Sequence, residues 1–270
     1  LRRVESLAHV TSHPPDNVDM KKVFITGASS GIGEALAKQY AKNGAQLGLV
    51  ARREDWLHRV AGEITPRPEI YVCDVRDAAA LKTAADDFIT KHGVPDVVIA
   101  NAGVSRGTLT GEHDDLKTFQ DIFDINVIGM VNTFHPFVAR MCAQHDGTLV
   151  GIASVAGFRG IPGGGAYSAS KAAAIRYCES LRVELMPMGV SVVTICPGYI
   201  RTPMTAVNKF KMPFLIGVDD AAARFERAIA RKTSFTVIPW SMGVAARILR
   251  VLPNWLYDRL FQMMPRKSRE

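Results

Sequence analysis

Lys21-Lys22-Val23-Phe24-Ile25-Thr26-Gly27-Ala28-Ser29-Ser30-Gly31-Ile32-Gly33-Glu34-Ala35-Leu36-Ala37-Lys38-Gln39-Tyr40-Ala41 decides the fold of this chain. Its first part is a short apolar run ending at Gly27, and from Gly33 onward apolar residues recur at helical spacing. Between them lies a strand-to-helix turn with three glycines. Such a turn lets backbone N–H groups and the positive end of the helix approach a pyrophosphate closely. The spacing is G-x-x-x-G-x-G and not the G-x-G-x-x-G dinucleotide fingerprint, so these residues alone leave a phosphate-binding turn and a merely structural one both open.

Outward from this unit the pattern repeats. Short apolar runs at 46–51, 69–75, 96–103, 147–154, 190–198 and 235–238 read as further strands, and the run at 96–103 is apolar on both faces, as a covered strand should be. Helical periodicity falls between them. A long helix is expected over 114–144 from Leu116, Phe119, Ile122, Phe123, Met130, Phe134, Phe137 and Met141, and others over 172–185, 219–231, 242–252 and 255–264. The fold class that follows is α/β: one Rossmann-like, doubly wound parallel sheet of about seven strands with helices on both faces.

With 270 residues, 47% hydrophobic and 22% charged, the chain suits one α/β domain, and no linker or repeat divides it. Residues 1–19 read as a disordered leader, with Met20 as a candidate start, 20–240 as the catalytic domain and 241–270 as a helical extension. The net charge is +7, but residues 241–270 hold six basic residues against two acidic ones. The body is therefore near neutral, which argues against nucleic acid as a partner. Cys73, Cys142, Cys178 and Cys196 are widely spaced among apolar neighbours, and the seven His form no ligand pair, so no metal site is expected. Buried free thiols point to a reducing compartment, and the expected location is cytoplasmic. No run of about 18 apolar residues suggests a membrane span.

Tyr167 and Lys171 stand four apart at the start of a helical segment, one turn from each other on one face. A cation about 4 Å from a phenol, at an effective dielectric of roughly 20, is worth on the order of 4 kcal/mol, or up to about three pKa units. That would bring Tyr167 toward neutrality, where general acid–base catalysis is most efficient. The same pair also reads as two surface side chains sharing a helix face. Ser154, at the carboxyl end of a strand, faces the crevice where ligands bind in such sheets. The second strand runs into Arg52-Arg53, with the first acid only at Glu54. Paired guanidiniums there favour the 2′-phosphate of NADP over the 2′-hydroxyl of NAD, the alternative being a solvated helix start. Asn126 falls among apolar residues in mid-helix, where it needs partners and perturbs the backbone locally.

Taken in order, Thr-Gly-x-x-x-Gly-x-Gly at 26–33, Asn-Ala-Gly at 101–103, Asn126, Ser154, Tyr-x-x-x-Lys at 167–171 and Pro-Gly at 197–198 make the chain resemble the short-chain dehydrogenase/reductase family over residues 21–238. The resemblance implies a catalytic set of Asn126, Ser154, Tyr167 and Lys171, with Asn126 holding a water that connects to the lysine. It implies a cofactor cradle of Gly27, Ser29, Ser30, Gly31, Ile32 and Gly33, with Arg52 and Arg53. Asp74 and Val75 would lie at the adenine, although Asp74 also reads as a helix cap. Asn101 would steady the central strand, and Ala102 and Gly103 would leave room for the ribose. Tyr167 and Lys171 would also hold the nicotinamide half, with Pro197, Gly198, Ile200 and Thr202 over the ring.

The expected activity is NADP(H)-dependent interconversion of a carbonyl and a secondary alcohol. Met204, Phe210, Met212, Phe214 and Leu215 suggest an apolar substrate lid, or else an interface. Alternatives are a non-catalytic NADP-binding regulator, and a membrane-surface lipid or keto-acyl reductase anchored by its C-terminal helices. The helix after Tyr167, apolar on more than one face, suits a homodimer or homotetramer. Residues 241–264 could close the pocket, meet a second subunit or touch an anionic membrane.

Overall fold

The computed structural model describes residues 20–208 and 211–263, so the leader at 1–19, Phe210 of the lid and the last residues of the tail lie outside the described residues. Seven strands form one parallel sheet: β1 (Lys22–Thr26), β2 (Gln46–Ala51), β3 (Glu69–Val72), β4 (Val97–Ala100), β5 (Thr148–Ile152), β6 (Ser191–Pro197) and β7 (Phe235–Ile238). Their order is β3-β2-β1-β4-β5-β6-β7. The chain winds outward from β1 in one direction, crosses back, and winds outward in the other. β1 and β4 thus flank the topological switch point, where a crevice opens beyond the carboxyl ends of the strands.

Helices cover both faces because the strands are apolar on both. On one side α1 (Gly31–Lys42), α2 (Glu54–Gly62) and α8 (Val218–Ala230) bury Leu36, Leu57 and Phe225 against Val23, Leu47 and Ile195. On the other, α3 (Ala78–His92), α5 (Gly129–Gln144) and α6 (Gly165–Leu185) bury Phe88, Phe137 and Cys178 against Phe24, Val98 and Leu149. Two short elements, α4 (Asp115–Phe123) and α7 (Pro203–Ala206), sit at the mouth side, and α9 (Trp240–Val251) and α10 (Asn254–Phe261) end the described chain.

The single helix expected over 114–144 is interrupted: Asp124–Ile128 is one π-helical turn between α4 and α5, with Asn126 at its centre. The whole segment Asp115–Gln144 is long and apolar enough to cross a membrane by length and composition, but it packs on β4, α3 and α6. The third strand stops at Val72, short of the expected 75, because Asp74 is drawn into contacts with Arg76 instead of a ladder. The helix cap there is Asp77, whose side chain accepts from Ala79 N and Ala80 N; Asp74 is not the cap.

Candidate active site

A cleft of about 540 Å³ opens over the carboxyl ends of the central strands, within the usual range for small-molecule sites. It is lined by every predicted site residue except Gly33 and Asn126, which stand directly behind its wall. Gly27 sits at φ 69°, where side chains are strained, and a Cβ on it would lie 2.8 Å from Ala102 Cα. At Gly33 a Cβ would meet Gly27 O at 2.2 Å and Asn101 Nδ2 at 2.6 Å, so the first turn of α1 closes on the loop only because both residues are glycine. Asn101 Nδ2 donates to Thr26 O at 3.1 Å and Gly27 O at 3.2 Å, which ties the end of β4 to that turn. This backbone cradle fits the phosphates of a dinucleotide.

The two arginines after β2 differ. Arg53 donates to Ser30 Oγ at 2.8 Å and Ser29 Oγ at 3.2 Å, and lies 4.2 Å from the Trp56 ring centroid. It is held at the glycine turn, with its planar charge oriented before any ligand arrives. Arg52, exposed like Arg53, pairs instead with Asp74 at 3.4 Å. Although burial works against it, Arg76 holds the Asp74 carboxyl below its ordinary value. Val75 is buried beside Gly129 and lines the cleft at the same end.

At the other end Ser154 stands two residues past the end of β5, and its Oγ accepts from Ala156 N at 3.2 Å. Tyr167 lies in the first turn of α6, hydrogen-bonded to Ser154. Lys171 is 4% exposed; its Nζ donates to Ile152 O at 2.8 Å and sits 6.0 Å from the Tyr167 ring centroid. Burial pulls the Lys171 ammonium down to about 8. Burial also pushes the Tyr167 phenol above its ordinary value, against the opposing pull of the Ser154 hydrogen bond. In contrast to the depression expected from Lys171, burial is the largest influence on the phenol in the folded chain, and it acts upward.

Asn126 is 1% exposed. Its Oδ1 accepts from Val104 N at 2.8 Å, and its Nδ2 donates to Val104 O and Ser170 Oγ, each at 3.0 Å. Ser170 Oγ in turn donates to Tyr167 O at 2.8 Å. The amide thus fixes the loop after β4 and the first turn of α6 together. It stays near the lysine, since a Cβ on Gly103 would meet both Asn126 Oδ1 at 3.1 Å and Lys171 Nζ at 3.5 Å. Of the apolar lid residues within the described chain, Met204 lines the cleft, whereas Phe214 is 54% exposed.

Three contributors escaped the sequence reading. Ser170 is fully buried and joins Asn126 to Tyr167; a serine amid alanines carried no signal. Trp56 lies three residues after Arg53 on the start of α2, a spacing that could have announced the stacking. Arg159, in the glycine-rich connection between Ser154 and Tyr167, fastens the C-terminal helices.

Residues 21–212 match the family model described as short chain dehydrogenase. A Myxococcus xanthus (strain DK1622) protein described as an uncharacterized oxidoreductase is 37% identical over 243 residues, covering 88% of this chain and 95% of that protein. Among solved structures, a short-chain dehydrogenase from Streptomyces avermitilis is 25% identical with a TM-score of 0.74, covering 84% of this chain and 92% of its own. The 3-ketoacyl-(acyl-carrier-protein) reductase from Brucella melitensis, complexed with NADH, is 27% identical with a TM-score of 0.74, covering 81% of this chain and 96% of its own.

Proposed function

The chain belongs to the short-chain dehydrogenase family, and from that premise we propose that it is an NADP(H)-dependent oxidoreductase interconverting a carbonyl and a secondary alcohol, with Tyr167 as general acid and base. The observation that carries this reading is the convergence of Ser154, Tyr167 and Lys171, from β5 and α6, on the cleft that also holds the glycine cradle.

The nicotinamide cofactor, when bound, supplies or accepts the hydride. Gly27, Ser29, Ser30, Gly31 and Ile32 would hold its pyrophosphate, Arg53 and Arg52 its 2′-phosphate, and Pro197, Gly198 and Thr202 its nicotinamide end. Ser154 Oγ and Tyr167 Oη orient the substrate oxygen and stabilise the charge that develops on it. In reduction Tyr167 gives that oxygen a proton; in oxidation it takes one back. Burial holds the Tyr167 phenol protonated at rest and makes it a weaker acid, while the hydrogen bond with Ser154 acts the other way and eases loss of the proton. The Lys171 ammonium, held on Ile152 O, stands ready to favour the phenolate once the proton has left.

Arg53, preset on Ser29 and Ser30, supports NADP over NAD, although the Brucella relative carries NADH. Ile200, Pro203 and Met204 at the cleft support a mainly apolar substrate. The four free cysteines suit a cytoplasmic setting, and the exposed Val183 and Met186 at the end of α6 suit a homodimer or homotetramer. The decisive experiment is an NADPH-oxidation screen over apolar ketones, aldehydes and keto-acyl thioesters, followed by Tyr167→Phe on the best substrate. Loss of at least about a hundred-fold in kcat is expected; turnover near wild type would overturn the assignment, and cofactor binding without turnover on any class would favour a non-catalytic regulator.

A further inference from the structure

Helices α9 and α10 turn an apolar stripe outward. Trp240, Val244, Ile248 and Val251 recur at spacings of four, four and three, which places them on one face of α9. They are 75, 45, 55 and 78% exposed. Beyond Pro253 the exposed series continues through Trp255, Leu260 and Met263. The opposite face of α9, Met242, Gly243 and Ala246, is spent on the fold. Single exposed hydrophobics need no explanation, but four along one face of α9 mark a surface that something covers.

Charge says what. Arg247, Arg250 and Arg259 are exposed on the same two helices. Residues 241–270 carry six basic residues and two acidic ones, so +4 of the chain's +7 lies in this segment. A second copy pairing along the stripe by a two-fold axis would set one net-positive segment against another. Tryptophans and arginines bordering aliphatic side chains are the composition of a helix lying in a lipid headgroup layer.

We propose that α9 and α10 form a docking surface for an anionic lipid bilayer. Trp240, Ile248 and Trp255 enter the headgroup boundary, and Arg247, Arg250 and Arg259 meet lipid phosphates. The pair of helices is fastened to the site. The Arg159 guanidinium donates to Leu249 O at 3.0 Å, Arg250 O at 3.1 Å, Leu252 O at 2.9 Å and Asn254 Oδ1 at 2.9 Å. It also stacks 4.2 Å from the Tyr257 ring centroid, and the Tyr257 hydroxyl donates to Gly160 O. Arg159 and Gly160 belong to the connection between Ser154 and Tyr167. At the other end of α9, Met242 packs on Gly198 of the cleft wall, 2.6 Å from where a Cβ would be. A docked chain therefore holds its cleft beside the bilayer, a placement that suits an apolar carbonyl substrate; that last clause alone rests on the proposed activity.

The test is co-sedimentation of the full chain with vesicles of phosphatidylcholine alone and with roughly 30% phosphatidylglycerol added. Partitioning onto the anionic vesicles should exceed that onto neutral ones by at least about ten-fold and fall with salt. Trp240→Ser with Ile248→Ser and Trp255→Ser should lower it about ten-fold or more. Arg247→Gln with Arg250→Gln should remove the preference for anionic lipid, at about five-fold per arginine. Circular dichroism of each variant should match wild type, because every substituted side chain is exposed. Equal sedimentation with and without vesicles, or a stripe variant that partitions like wild type, would overturn the proposal. So would light scattering showing that the stripe variant falls to a smaller oligomer, since a second copy would then be the occupant. Vesicle binding is read without turnover, so it stands or falls separately from the enzymatic assignment.

Discussion

Lys171→Met tests the physical state of the site directly. In the folded chain burial pulls the Lys171 ammonium from 10.5 to about 8. The gap corresponds to about 3 kcal/mol between the charged and neutral forms. At about pH 7 both the folded and the unfolded chain carry the proton, and the native state bears that full cost. As pH rises from about 8 toward 10.5, the native lysine has released its proton while the unfolded one still holds it. The unfolded state then binds more protons, so the lysine's contribution to stability increases with pH across this window. Methionine fills similar volume and has nothing to titrate.

The difference in unfolding free energy between wild type and Lys171→Met should therefore move in favour of wild type by about 3 kcal/mol from about pH 7 to about pH 10.5. Urea denaturation followed by tryptophan fluorescence at intervals of one pH unit reads it. Other groups titrate in the same range: the Cys178 and Cys196 thiols are pushed up to about 12 by burial, and each loses stability for the fold as pH rises. The Lys171 ammonium lowers both thiols, so they do not cancel between the two proteins, and the comparison is made in a Cys178→Ala, Cys196→Ala background where neither can titrate. Two stability curves that stay parallel from pH 7 to 10.5 would mean that the ammonium keeps its hydration and that the burial argument for the whole site is wrong.

Asn126→Ala leaves Val104 N, Val104 O and Ser170 Oγ without their partner, and a loss of about 2–4 kcal/mol is expected in urea; a loss under about 1 kcal/mol would show that the amide does not hold this junction. Gly33→Ala drives a methyl into Gly27 O, so NADPH affinity by fluorescence titration should fall at least about ten-fold, and an unchanged Kd would refute the cradle. Arg53→Ala should weaken NADPH by roughly ten- to a hundred-fold while leaving NADH within about three-fold; equal losses for both would remove the 2′-phosphate assignment. Arg159→Ala takes away four acceptor contacts at the end of α9, and amide exchange over 249–261 should accelerate about ten-fold or more by mass spectrometry; unchanged exchange would show that the two helices are held by their apolar face alone.

The strands were legible because a sheet covered on both faces demands apolar runs that a reader can count, and the runs at 46–51 and 235–238 match β2 and β7 residue for residue. The Gly27–Gly33 turn was legible for a related reason: its glycines are forced by backbone approach, which leaves a trace in sequence. Boundaries at Val72 and Asp77 were not, since whether Asp74 or Asp77 caps α3 depends on which carboxylate the arginines claim. Periodicity could not show the π turn at Asp124–Ile128 either, because one inserted residue shifts the helical phase without breaking the apolar series; only the polar Asn126 hinted at it.

The Tyr167–Lys171 pair shows where sequence spacing stops being sufficient. Four residues on a helix fix which face two side chains share, but the charge each carries depends on what else surrounds them. Here the lysine is turned onto Ile152 O and enclosed by Cys178, Cys196 and the strand ends, so burial acts on both groups at once, raising the phenol and lowering the ammonium. Both shifts disfavour the charged forms, although an ammonium at about 8 still holds its proton at about pH 7. Charge must then be supplied as the reaction proceeds, by the oxygen that Ser154 and Tyr167 grip and by the ammonium behind them. The attraction between a phenolate and Lys171 once the proton has moved is strengthened on the lysine's side, where the ammonium is buried, whereas Tyr167 is half-buried and lines the cleft.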